Sequence, residues 1–170
     1  MNWLCLRPFP WLDTRARFVA QAPRGGTLLD LGASDGETLG HIAQSRPDLR
    51  LLAADKFGQL EKYPAGCEFR QADFEREPLP WPAATVDAIT CMHLVEHLSD
   101  LGLLLREIAR VLKPDGRVYF ETPHAKTLTL PSRRQAPQPF TMNFYDDPTH
   151  VQVVTMAALE TSAANPAGAA

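Results

Sequence analysis

The sequence predicts an α/β fold, an open, doubly wound and mainly parallel sheet with helices on both faces. Three observations predict it. Short, almost wholly apolar runs recur at TLLDL (27–31), RLLAA (50–54) and TVDAITC (85–91), as expected of strands buried on both faces. Helical spacing alternates with such runs, most clearly after the last of these at Leu101, Leu104, Leu105, Ile108, Val111 and Leu112. A small-residue turn, Gly32-Ala33-Ser34-Asp35-Gly36, joins the first strand to a helical pattern, a unit that binds ligands in sheets of this kind.

Taken in order, Asp13 is placed to cap a short helix through Ala22, which Pro23 and Gly25-Gly26 end. The first strand, 27–31, follows. Ser34 and Glu37 have capping-box spacing, and Leu39, Ile42 and Ala43 continue a helix that stops near Pro47. RLLAA (50–54), CEFRQ (67–71) and TVDAITC (85–91) are the second, third and fourth strands. In the next helix Arg106, Glu107, Arg110 and Lys113 fall on the polar face, and Pro114-Asp115-Gly116 ends it before a fifth strand, RVYFE (117–121). From Thr122 regularity is lost in a Pro-rich stretch to residue 150. HVQVVT (150–155) is the one further strand candidate, and the tail 161–170 is Ala-rich and expected to be disordered.

A length of 170 residues with 45% hydrophobic and 22% charged residues bounds the chain to one globular domain with a real core. A net charge of −3 provides no global field for a phosphate backbone, so nucleic acid is not the expected partner. No apolar run approaches the roughly 20 residues of a membrane span. Cys5, Cys67 and Cys91 lack metal-like pairing, and no secretory leader pattern precedes them, so reduced thiols and a cytoplasmic location are expected.

The candidate site lies at the carboxyl ends of the strands. The turn from Asp30 through Gly32, Ser34 and Gly36 offers small side chains and a helix N-terminus to a ligand. Ser34 and Glu37 occupy the second and third glycine positions of a nicotinamide-binding fingerprint, which weakens a dinucleotide reading. Asp55 ends the second strand, where a carboxylate can accept both hydroxyl protons of a ribose. Asp73 follows the third strand and Phe74 follows it, giving an acceptor for an exocyclic amine with an apolar surface beside it.

With these residues in place, the chain resembles the class I methyltransferases that use S-adenosylmethionine, especially small-molecule and glycan-type members, through LLDLGASDGETLGHI (28–42), LLAADKF (51–57), FRQADFEREPLP (69–80), TVDAITCMHLVEHLSD (85–100) and LLLREIARVLKPDGRVYFETP (103–123). The resemblance implies a Rossmann-like domain over 1–160, with a core at 24–123 and a substrate segment at 124–150. It implies that Asp30, Gly32 and Gly36 hold the methionyl part of S-adenosylmethionine, Asp55 its ribose, Asp73 and Phe74 its adenine, and that Met92 and His93 line the pocket. The chain departs at Ser34, where the family's commonest turn has Gly. The resemblance implies strands in the order 3-2-1-4-5, and the chain lacks a pattern for the family's sixth and seventh strands, which would leave the fifth strand as an exposed edge able to pair with a second copy.

Methyl transfer is in-line displacement of an already activated leaving group, so alignment, worth about 7–11 kcal/mol in well-oriented reactions, is the main task. Where the acceptor is a hydroxyl or a protonated amine a base is needed, and His93, His124 and His150 are the candidates, while His97 is read as structural. Asp146, Asp147 and His150 have no matching second cluster, so no metal is expected. The exposed pair Arg133-Arg134 assigns no substrate. A catalytically silent methyltransferase-like module and a nicotinamide-dependent oxidoreductase are the competing readings.

Overall fold

The computed structural model describes residues 10–132 and 143–164. The chain forms α1 (Thr14–Ala20), β1 (Thr27–Leu31), α2 (Glu37–Ser45), β2 (Arg50–Asp55), β3 (Glu68–Gln71), β4 (Val86–Met92), α3 (Gly102–Val111), β5 (Leu112–Glu121) and α4 (Met156–Ala164), with short 3-10 turns between them. The strands make one sheet in the order β3-β2-β1-β4-β5, every neighbouring pair parallel. β1 is central, and the chain reverses its direction of winding between β1 and β4. The carboxyl ends Leu31, Asp55, Gln71, Met92 and Glu121 therefore line one edge, the edge on which such sheets bind ligands.

Strand side chains alternate between two apolar layers, as the period of two requires. Leu29, Leu31, Leu52, Ile89 and Cys91 pack with Leu104, Leu105, Ile108 and Val111 of α3 on one face. Leu28, Leu51, Ala53 and Ala88 pack with Val19 of α1 and Leu39 and Ile42 of α2 on the other. Arg46 ties the end of α1 to this second layer. Its Nη1 donates to the carbonyls of Val19 (2.9 Å) and Ala22 (3.1 Å), while Asp48 receives its Nε and Nη2 at 2.8 Å each.

Asp13 caps α1 as expected, accepting the N–H groups of Arg15 (2.9 Å) and Ala16 (3.0 Å), but the helix ends at Ala20 rather than Ala22. Four further expectations need correction. Glu107 and Arg110 are not a solvated face. Glu107 is buried and accepts the Leu79 N–H at 2.8 Å, and Arg110 donates to the carbonyls of Leu79 (2.8 Å) and Trp81 (2.9 Å), so the pair stitches the segment before β4 to α3. β5 begins at Leu112, ahead of the expected 117, and the Lys-Pro-Asp-Gly stretch bulges out between the pairs Val86–Leu112 and Ala88–Arg117. Residues 150–155 form no strand; Val151 and Gln152 instead donate their N–H groups to the Glu96 carbonyl (2.9 and 3.4 Å), and Val154 is buried in the α3-side core. α4 follows and packs against α3, and no further strand pairs with β5 among the described residues. Residues 161–164 of the expected tail are the last turn of α4, and the rest of it lies outside the described residues.

Among the described residues the sheet has five strands and β5 is its edge. No described helix is long and apolar enough to cross a membrane. Cys67 and Cys91 are free thiols, and Cys5 lies outside the described residues.

Candidate functional site

The turn after β1 is folded back onto the end of β2. Gly32 and Ala33 donate their N–H groups to the Ala54 carbonyl at 2.9 and 3.3 Å, and Ser34 donates its own to Asp55 Oδ2 at 2.9 Å. Asp55 Oδ1 accepts the Phe57 N–H at 2.6 Å, so one carboxylate at the crevice joins the turn to the loop beyond β2. Ser34 has a φ of 45°, in the left-handed region that disfavours a side chain.

Gly36, at φ 78°, is the N-cap of α2 and makes no side-chain cap. The capping box expected of Ser34 and Glu37 is absent, because Ser34 sits two residues before the cap and its N–H is committed to Asp55. The openness expected around Gly36 is corrected as well. A Cβ there would lie 2.6 Å from Tyr63 Cδ1 and 2.9 Å from the Lys62 carbonyl oxygen, so the glycine makes room for the 56–66 loop, whose Tyr63 hydroxyl donates to the Ser34 carbonyl at 3.1 Å. Gly32, at φ 74°, makes room for Leu94 in the same way, with 3.2 Å between its missing Cβ and that side chain.

Asp30 is buried beneath this turn. Its neighbour in register, Thr90, donates a hydroxyl to Asp30 Oδ1 at 2.6 Å. Burial pushes the Asp30 carboxyl up to about 7, against the Thr90 hydrogen bond and with the help of the Asp55 charge. Asp73 stands at the same edge after β3, ion-paired to Lys56 at 2.9 Å, and that hydrogen bond, with the Glu75 N–H and against burial, holds its pKa low. Phe74, expected to set an apolar surface beside Asp73, has its ring buried in the α3-side core. Sequence reasoning missed Phe57, which is 82% exposed directly beyond Asp55. The LLAADKF segment held the signal, an aromatic two residues after the strand-end acid.

Met92 ends β4, half-buried, in register with Glu121 of β5. His93 follows at φ 51°, its N–H donating to the Glu121 carbonyl at 2.8 Å, a strained backbone of the kind that gathers at functional sites. Its imidazole lies between two carboxylates, Nδ1 3.1 Å from Glu96 Oε1 and Nε2 3.2 Å from Glu121 Oε1. The Glu96 hydrogen bond and both negative charges raise the His93 pKa, while burial and Arg15 oppose them. Burial works to raise the Glu121 pKa, but Arg15, Tyr119 and His93 outweigh it. Arg15 Nε donates to Glu121 Oε2 at 2.6 Å, which places α1 at the rim of the crevice.

His124 is exposed at the start of a 3-10 turn and accepts the Lys126 N–H at Nδ1, 3.0 Å away. His150 lies deeper, its ring 4.5 Å from Phe144 and 4.8 Å from His97. His93, His97 and His150, far apart in sequence, line one cleft of about 330 Å³ with Thr127, Asn143 and Asp147. His124 is not among its lining. Asp146 serves as a cap, accepting the Asn143 N–H at 3.2 Å. Arg133 and Arg134 lie outside the described residues.

Residues 7–165 match a family described as "Methyltransferase domain". A ubiquinone biosynthesis O-methyltransferase of Pseudomonas paraeruginosa is 29% identical over 119 residues, covering 66% of this chain and 48% of the relative. YcgJ of Bacillus subtilis, described as an uncharacterized methyltransferase, is 44% identical over 98 residues, covering 53% of this chain and 38% of its own. The YcgJ crystal structure superposes with a TM-score of 0.63 at 24% identity, over 89% of this chain and 66% of that one. A coclaurine N-methyltransferase bound to N-methylheliamine and SAH superposes with a TM-score of 0.50 at 26% identity, over 59% and 32% of the respective chains. The chain spans about half the length of the first of these curated relatives.

Proposed function

Because the chain belongs to the family of methyltransferase domains, we propose that it transfers a methyl group from S-adenosylmethionine to a small-molecule or glycan acceptor by in-line displacement. The observation that carries this is the Asp55 carboxylate, fixed by the N–H groups of Ser34 and Phe57 at the crevice end of β2. A carboxylate oriented in this way keeps lone pairs for two vicinal hydroxyls, the mark of a ribose.

The residues present fit S-adenosylmethionine. The cofactor supplies a methyl group activated by its sulfonium charge, and the chain's residues align it. Asp55 holds the ribose and Phe57 gives the adenine an exposed apolar face. Asp73 accepts the adenine amine once Lys56 moves aside. Gly32 and Ser34 shape the backbone under the methionyl part, Asp30 and Gly36 support that turn from below and behind, and Met92 and His93 close the side toward the acceptor.

The acceptor occupies the cleft beyond His93. Its two carboxylates favour the protonated form of His93, which suits it to orient an acceptor. His150 donates from Nδ1 to the Phe144 carbonyl at 2.7 Å and so keeps the Nε2 lone pair, and hydroxyl deprotonation falls to the group around it. The free thiols Cys67 and Cys91 support a cytoplasmic location, and the β5 edge, which pairs with no further strand among the described residues, supports pairing with a second copy.

The test is mass spectrometry of a metabolite extract incubated with the chain and methyl-deuterated cofactor. Labelled products with the parent chain and not with Asp55→Ala are expected. Absence of any labelled product over a range of extracts would favour the silent-module reading.

A further inference from the structure

We propose that Glu96, His97 and His150 bind one divalent transition-metal ion in the floor of the acceptor cleft. The ion's role rests on the methyltransferase reading, whereas its binding does not. One ligand atom from each residue lies within 4.8 Å of the others, although His150 is remote in sequence. The N–H groups of Val151 and Gln152 on the Glu96 carbonyl pin the two segments together.

Glu96 is the strongest sign of a missing partner. The residue is fully buried, Oε1 is taken by His93, and Oε2 has no hydrogen-bond partner. The Thr122 hydroxyl, also buried and without a partner of its own, is the neighbouring protein donor to that carboxylate. A buried carboxylate oxygen without a donor is costly and rare in a folded chain, and a cation removes the cost.

The histidines are prepared in the same sense. His97 Nδ1 lies 2.9 Å from the Thr149 hydroxyl, which itself donates to Asp147, and 3.2 Å from the Thr149 carbonyl, and His150 Nδ1 lies 2.7 Å from the Phe144 carbonyl. With each Nδ1–H donated to an oxygen, each Nε2 keeps its lone pair, the arrangement that orients histidine ligands in metal sites. Asp147 Oδ2, 3.8 Å from His150 Nε2, is within reach as a fourth donor. Two imidazoles with carboxylate oxygens suit Zn²⁺, Co²⁺ or Mn²⁺ better than Mg²⁺ or Ca²⁺.

The site would take an acceptor oxygen at an open coordination position facing the cleft, which narrows the acceptor class to hydroxyls and phenols. With His150 a ligand rather than the base, an acceptor hydroxyl held there releases its proton to water and its oxygen bonds to the methyl carbon. The carbon–sulfur bond breaks with its electron pair left on sulfur.

Titration of the metal-stripped full chain with Co²⁺, followed by visible absorbance, tests the site. One saturable Co²⁺ per chain is expected, displaced by Zn²⁺ and not by equimolar Mg²⁺, with affinity more than about tenfold weaker in Glu96→Gln and in His150→Gln. Circular dichroism checks the fold of each variant, and Glu96→Gln, nearly isosteric, carries the test if His150→Gln does not fold. No saturable signal, preference for Mg²⁺, or equal affinity in folded variants would overturn the proposal. Titration of the stripped chain with S-adenosylhomocysteine separates the two readings, since cofactor binding without Co²⁺ binding removes the metal site alone.

Discussion

Asp55 Oδ2 accepts the Ser34 N–H at 2.9 Å, so the acid at the end of β2 and the turn after β1 are one unit before any ligand arrives. Asp55→Ala removes the charged acceptor for the ribose and releases the turn together. The expected result is S-adenosylhomocysteine binding weakened by about 1–3 kcal/mol in calorimetry with the fold intact. Unchanged affinity would take Asp55 out of the site.

Ser34 holds a left-handed backbone at φ 45°. Relief of that strain, about 1–2 kcal/mol, outweighs the roughly 0.5–1 kcal/mol entropic cost of a glycine. Ser34→Gly is therefore expected to raise stability by about 0.5–1 kcal/mol in urea unfolding, and Ser34→Val to lower it. A loss of stability in Ser34→Gly would show that the serine side chain has a role of its own.

The Asp30 pKa, raised to about 7 by burial, makes stability pH-dependent. The folded state holds the proton more tightly than the unfolded chain, so this group costs nothing below about pH 4. As the pH rises toward 7 the folded state loses stability, and above 7 the full cost, about 4 kcal/mol, is present. Asp30→Asn can still accept the Thr90 hydroxyl, and without ligand it is expected to melt above the parent at pH 8 and with it near pH 4. A difference that does not vary with pH would refute the assignment.

These predictions rest on residues whose placement was legible to different degrees. β1, β2 and β4 were legible almost to the residue because each is a short apolar run; their alternation with helices implied a parallel sheet, and the strand order came from the family resemblance. Asp55 and Asp73 were legible because a strand end fixes which edge a side chain occupies. Phe74 was not, since the residue after Asp73 turns inward to the α3-side core. Glu107 misled because helical periodicity assigns a face without saying that residues 79–81 cover it. His97 and His150 meet only through the return of the chain at 149–152, a contact no local spacing encodes.

β5 leaves its outer edge without a partner strand among the described residues. Two such edges are self-complementary, and light scattering across a concentration series is expected to show a concentration-dependent dimer. A monomer at all concentrations with a sharp cooperative melt would mean that the edge is protected within the chain.

The central claim is that the crevice at the carboxyl ends of β1, β2 and β4 binds S-adenosylmethionine, and calorimetric titration of the parent chain with S-adenosylhomocysteine tests it most directly. One saturable site per chain is predicted, with no heat from NADH under the same conditions. Equal binding of NADH, or no saturable heat from S-adenosylhomocysteine with a folded chain, would contradict it.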